Sequence, residues 1–291
     1  MSNLNTVMSQ AAAAGTAPDG AWDLSYAYFD DPFAWDLSSV VYSNKSFSLA
    51  TYQTFPTGIF FKPDGTAMYT IADVQNEVRE WSLSTAWDVS TASNVGRTII
   101  SSQDTDPQGV SFKPDGTKMY IVGYSSDSVH EYNLSTAWTV STASFSQSFS
   151  VAAQSTNPTG IFFKPDGTKL YVIDTNQRDV YEYDLSTAWD VSSSSYLQSF
   201  NTGLSITQLE DLSISDDGLT MFILARSGDK VVQYSLSTAW DISSSSYVAE
   251  FAVGTQEAAV RGLFVREDGS QMFVVGNGSS TVSVSYTHLR A

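Results

Sequence analysis

FKPDGTKMYIVGYSSDSVHEYNLSTAWTV, Phe112 to Val140, reads as two chain reversals followed by a tryptophan-bearing loop. In Pro114-Asp115-Gly116 the proline fixes φ for the turn and the glycine takes the positive φ that reverses the chain. Gly109 to Lys113 lead into that turn as a first strand and Met119 to Val122 leave it as a second. The polar stretch Gly123 to Ser128 then makes a loop, Val129 to Leu134 a third strand, STAWTVSTAS a Ser/Thr-rich loop, and Phe145 to Val151 an outermost strand. Short strands with turn signals at this spacing point to a sandwich, barrel or propeller rather than to a βαβ design.

The unit repeats. FKPDGT recurs at Phe61 and Phe163, and decayed copies stand at Ile214 (ISDDGL) and Val265 (VREDGS), so that Gly65, Gly116, Gly167, Gly218 and Gly269 are each 51 residues apart. Trp35, Trp87, Trp138, Trp189 and Trp240 follow at intervals of 52, 51, 51 and 51 residues. A fixed period near 50 residues selects a β-propeller of four-stranded antiparallel blades. In the first strands one side is apolar in every copy, from Ile59 and Phe61 to Leu263 and Val265, and the other carries Gly with Phe or Ser. Neither face is written for water, so each blade must be covered by its neighbours. The tryptophans are expected to be packing anchors and the glycines turn residues, with sugar stacking on the rings as the sharper alternative.

Phase counts four whole units and two half units, about five blade equivalents. The N-terminal half holds third and fourth strands near residues 24–29 and 40–49, and the C-terminal half holds Met272 to Val275 and a strand starting at Val282. The halves are complementary, which predicts a five-bladed ring; a longer parent with six, seven or more blades is the alternative. Residues 1–20 read as a disordered tail and 21–283 as the propeller. The final VSYTHLRA, 284–291, resembles a translated sequencing adapter and is set aside from the fold, which makes the natural propeller a truncated one here.

PDGTKLYVIDTNQRDVYEYDLS, Pro165 to Ser186, resembles the repeat of the YVTN and lactonase-like β-propellers. The STAWDVSTAS insertion is similar to that of uncharacterised marine phage and metagenomic propellers. The resemblance implies the fold over about residues 25–283 and a virion-associated or extracellular setting. It is specific for fold and weak for function, because one fold hosts many activities.

The chain has 31 Asp and Glu against 14 Lys and Arg, a formal charge of -17, which repels phosphate backbones and argues against nucleic acid. There is no cysteine, so disulfides and thiolate chemistry are absent. No apolar run is long enough for a membrane-inserted helix. The first residues lack a secretory signal, which leaves the cytoplasm open as a location.

In a propeller the mouth of the central channel gathers the starts of the innermost strands, here Thr57, Gln108, Thr159, Glu210 and Arg261. Glu210-Asp211 departs most from the other copies, and Arg261 is equally aberrant. A carboxylate pair beside an arginine suits a polar ligand or a cation, while repeat decay offset by a surface ion pair is the bland alternative. Asp36, Asp88, Asp190 and Asp241 follow the tryptophans, interrupted by Thr139, and are expected to cap turns. His130 matches Arg79, Tyr181 and Val232 in other units and is expected on a variable strand surface rather than as a general base. No nucleophile, zinc or phosphate-loop motif is present. These features favour a non-enzymatic module binding carbohydrate or protein, without a cofactor. The alternatives are a lactonase-like hydrolase using Ca²⁺ or another divalent cation at Glu210 and Asp211, and a purely structural scaffold.

Overall fold

The computed structural model describes residues 37, 40–203 and 208–286. Blade one is β2 (Pro56–Phe61), β3 (Ala67–Ala72), β4 (Glu77–Leu83) and β5 (Ala92–Ile99). Blade two is β6 (Pro107–Phe112), β7 (Lys118–Gly123), β8 (Ser128–Leu134) and β9 (Ala143–Ser150). Blade three is β10 (Pro158–Phe163), β11 (Lys169–Asp174), β12 (Asp179–Leu185) and β13 (Ser194–Asn201), and blade four is β14 (Leu209–Ile214), β15 (Thr220–Ala225), β16 (Lys230–Leu236) and β17 (Ser245–Ala252). Blade five joins the two ends of the chain: β18 (Val260–Val265), β19 (Gln271–Gly276) and β20 (Thr281–Tyr286) are completed on the outside by β1 (Val41–Ser48). All five sheets are four-stranded and antiparallel.

The ring closes. β18 lies against β2 as β2 lies against β6, and Leu49 N–H donates to the Ser280 carbonyl at 2.8 Å. Residues 24–29, expected from the repeat phase to supply a strand, lie outside the described residues, as do Trp35, Asp36, the whole N-terminal tail 1–20 and 287–291. The third strand of the closing blade is β20. It includes the start of the adapter-like segment: Val284 pairs with Phe273 and is fully buried.

Inner strands approach one another closely in so small a ring, and glycine makes this possible. A Cβ on Gly262 would sit 2.7 Å from the Gly58 Cα, and one on Gly109 would sit 2.9 Å from the Thr159 carbonyl oxygen. That explains the Gly in four of the five inner strands, which packing propensity alone would disfavour; blade four has Asp211 there.

Blades are locked to their neighbours by polar contacts at 51-residue spacing. The Tyr69, Tyr120 and Tyr171 hydroxyls donate to the carbonyls of Trp138, Trp189 and Trp240 in the following blade, at 2.7 to 2.8 Å. Glu80, Glu131 and Glu182 accept from the N–H of Val140, Val191 and Ile242. At the seam Gln233 takes the same role, accepting from Leu37 N–H at 3.2 Å. Tyr171→Phe should therefore cost about 1–3 kcal/mol, because it strips the donor from the Trp240 carbonyl while keeping the ring; chemical unfolding measures this. An unchanged midpoint would reduce that contact to a passive one.

The tryptophan loops end in single 3₁₀ turns. Asp88, Asp190 and Asp241 accept from Ser90, Ser192 and Ser243 N–H and cap them, while Thr139 makes no such bond. The expected turn-capping role is what these aspartates perform.

Candidate functional site

The five strand-start residues share one structural feature. The ladder between first and second strands is irregular between Pro56 and Gly58, Pro107 and Gly109, Pro158 and Gly160, Leu209 and Asp211, and Val260 and Gly262. Thr57, Gln108, Thr159, Glu210 and Arg261 are the extra residues left without a ladder partner. A bulge re-aims a side chain, and here it does so once per blade at the same end of the ring.

Two of these residues are structural. Thr57 donates to the Pro107 carbonyl and Thr159 to the Leu209 carbonyl, both at 3.0 Å, tying each blade to the next. Gln108 donates to the Asp106 carboxylate of its own blade. The aberrant pair meets: Arg261 Nη1 lies 3.0 Å from Glu210 Oε2. Glu210 is almost completely buried and Arg261 largely so, while Arg261 Nε is buried with no hydrogen-bond partner among the described residues.

Glu210 and Asp211 send their carboxylates to different partners. Asp211 accepts from Leu212 N–H at 2.9 Å and from Leu263 N–H of blade five at 2.8 Å. As a donor set for a cation the two fit poorly, since Glu210 is held by a guanidinium and Asp211 by two amides. No group of three or more His, Cys, Asp or Glu side chains placed to hold a metal occurs among the described residues.

Electrostatics at this mouth come from several blades. Burial pushes Glu210 up to about 7 against the opposing pull of Arg261 and Arg226. Asp73 of blade one and Asp106 of blade two are raised by burial, and Arg261 moderates both. Tyr124 is pushed up to about 12 by burial and then by Glu210. Arg261 thus acts electrostatically on carboxylates or hydroxyls of blades one, two and four. Asp73, Asp106 and Tyr124 were missed in the sequence. Comparing the residue after each second strand (Asp73, Tyr124, Thr175, Arg226, Asn277) across units would have raised two of them.

His130 differs from expectation. It is buried, as are Arg79, Tyr181 and Val232 in the same position, so the position is an interior slot. What varies is the polar tip: Arg79 reaches Glu77 and Asn94, and His130 lies 2.8 Å from Ser126 Oγ. Asp104 accepts from Ser125, Ser126 and the Asp106 N–H. Although burial works the other way, these bonds and His130 hold its carboxyl well below the usual range. His130 and Asp104 are 3.8 Å apart on the Nε2 side, so the imidazole lacks the carboxylate-on-Nδ1 arrangement of a serine-hydrolase triad.

No protein-family model matches the chain, and no curated protein matches it. Among solved structures, a putative 6-phosphogluconolactonase from Bacteroides fragilis is similar at 14% identity and a TM-score of 0.53, with 79% of each chain covered. A second so described, from Bacteroides uniformis, gives 14% identity and 0.49, covering 76% of this chain and 64% of that one. A protein from Lactobacillus plantarum gives 15% and 0.46, covering 79% and 66%. The chain spans about two thirds of the length of the latter two. At such identity the likeness is one of fold: the chain is a β-propeller.

Proposed function

We propose that the chain is a binding module whose strand-entry mouth recognises a carbohydrate or an exposed protein surface, in a virion or extracellular setting, without turning it over. The observation that carries this reading is Arg261: one nitrogen is held on Glu210, Nε is buried without a hydrogen-bond partner among the described residues, and its charge is felt by Asp73, Asp106 and Tyr124 of two other blades. Such a set of donors and acceptors at one mouth is suited to hydroxyl-bearing or charged groups.

A lactonase-like hydrolase is the second reading, favoured by the Glu210 carboxyl near 7, a value suited to proton transfer at neutral pH. Screening the full chain against immobilised glycans and protein surfaces, with Arg261→Ala beside it, separates these. Binding that drops at least about tenfold in the variant supports the module. Lactone hydrolysis abolished by Glu210→Gln would replace it with the enzyme. Calcium followed by EDTA should leave the melting temperature unmoved in the first case and shift it in a cation-dependent hydrolase. Loop substitutions silent in every assay would leave a scaffold.

A further inference from the structure

The opposite end of the channel holds a partly open space that the mouth does not use. At the Pro-Asp-Gly end the inner strands bound a cavity of about 110 Å³, lined by all five blades. Around the axis one residue position alternates: Phe60, Ser111, Phe162, Ser213, Phe264. Each phenylalanine stacks on the tryptophan of the following blade, Phe60 on Trp138 and Phe162 on Trp240 at 6.5 Å, and Phe264 on Trp87 at 6.2 Å. Ser111 has no ring to lay on Trp189, and Trp189 lines the cavity together with the three phenylalanines.

Carboxylates complete the lining. Asp211 stands where other blades have glycine and reaches the cavity wall from a buried position. At the rim, Asp216 and Glu267 replace the prolines found at Pro63, Pro114 and Pro165. Their charges crowd: burial raises both carboxyls, and Asp216 raises Glu267 further. The same end of the ring already uses indole faces for cations. The Arg266 guanidinium lies 4.8 Å over Trp87 and Lys164 Nζ 5.9 Å over Trp240.

We propose that this cavity binds a small organic ammonium ion. Aromatic faces attract a cation through their quadrupoles, and the attraction grows where water is excluded. An anion would meet the rim carboxylates Asp216 and Glu267, and a neutral apolar molecule would offer them no compensating charge. A bare metal ion would find few oxygen ligands on walls of phenyl and indole rings. The space is somewhat smaller than the ~150 Å³ cavity that accommodates benzene, which suits a methylated ammonium of roughly five heavy atoms. The site is separate from the Arg261 mouth and does not depend on it.

Tetramethylammonium chloride titrated into the full chain by calorimetry tests this, with sodium chloride as the salt blank and tert-butanol as a neutral molecule of similar size. The ammonium should bind at one site and tert-butanol should not. The double variant Asp216→Asn/Glu267→Gln, at exposed rim positions where folding is not at stake, should weaken binding at least about tenfold. Ser111→Phe, which lays a ring on Trp189 as in the other blades, should abolish it. Absence of binding well above millimolar concentration, equal binding of tert-butanol, or an unaltered affinity in the rim variant would overturn the proposal.

Discussion

Gly167→Ala is expected to lower the unfolding free energy by roughly 2–5 kcal/mol, one of the two largest effects anticipated for this chain. Gly167 sits in the Pro-Asp-Gly turn with φ +74°, and a Cβ there would lie 2.3 Å from Trp189 Nε1. Two costs combine: the left-handed backbone disfavours any side chain, and the indole lying on the glycine must move. Trp189 cannot move cheaply. It stacks on Phe163 at 5.3 Å, its backbone N–H donates to the Gly167 carbonyl at 3.1 Å, and its carbonyl accepts from Tyr120 of the preceding blade. Gly203 separates the two costs, having φ +65° and no atom within 4 Å of the point a Cβ would occupy. Gly203→Ala should cost only about 1–2 kcal/mol. Urea unfolding of both variants reads the difference, and equal losses would show that the indole contact contributes nothing.

That contact explains why PDG and LSTAW keep phase along the sequence. The two motifs are about 22 residues apart, yet in every fully described unit the Trp lies on the Gly, so neither can drift without the other. The fold was legible because packing of this kind repeats identically and identity at a fixed period is visible without a structure. The closing blade was legible in part: two half units in phase pointed to closure, but its third strand is β20 of the C-terminal end and not the N-terminal stretch near 24–29. What stayed hidden is contact across blades. The Tyr and Glu locks join residues 69 and 60 positions apart, and neither residue type is unusual in a strand. The candidate mouth was half legible. Glu210 and Arg261 stand out against their own repeat, but the sequence places Asp211 beside Glu210, whereas the structure gives the two carboxylates different partners, Arg261 for Glu210 and the amides of Leu212 and Leu263 for Asp211. The bulge that aims all five strand-start residues has no sequence signature beyond the glycine that follows it in four of the units.

Between about pH 4 and pH 8 stability should decline as the solution becomes more alkaline, and Asp211→Gly should flatten that decline. Burial raises the Asp211 carboxyl from the ordinary 3.8 to about 8, against two backbone N–H donors that favour its ionised form. Glu210 rises from 4.5 to about 7. Both groups keep a proton in the folded chain that the unfolded chain has released. Their contribution is therefore complete below the unfolded values and lost as the pH climbs through the folded ones, with a slope of up to about 1.4 kcal/mol per pH unit for each proton held. On the acid side the sign reverses. Burial works upward on Asp64, Asp115 and Asp166, but hydrogen bonds from lysine and threonine together hold them at about 2, so their stabilisation is lost as the pH falls from about 4 to 2. These three are half exposed and solvent screens them, so the alkaline limb is the steeper one. Asp211→Gly restores the residue of the other four blades and removes one of the two titrating groups, but it also strips the acceptor from Leu263 N–H, a loss of about 1–3 kcal/mol at any pH. The wild-type and variant curves should accordingly converge or cross as the pH rises, with wild type the more stable at pH near 4. Parallel curves in urea midpoints measured across this range would mean that Asp211 is ionised throughout, and that the amides of Leu212 and Leu263 outweigh its burial.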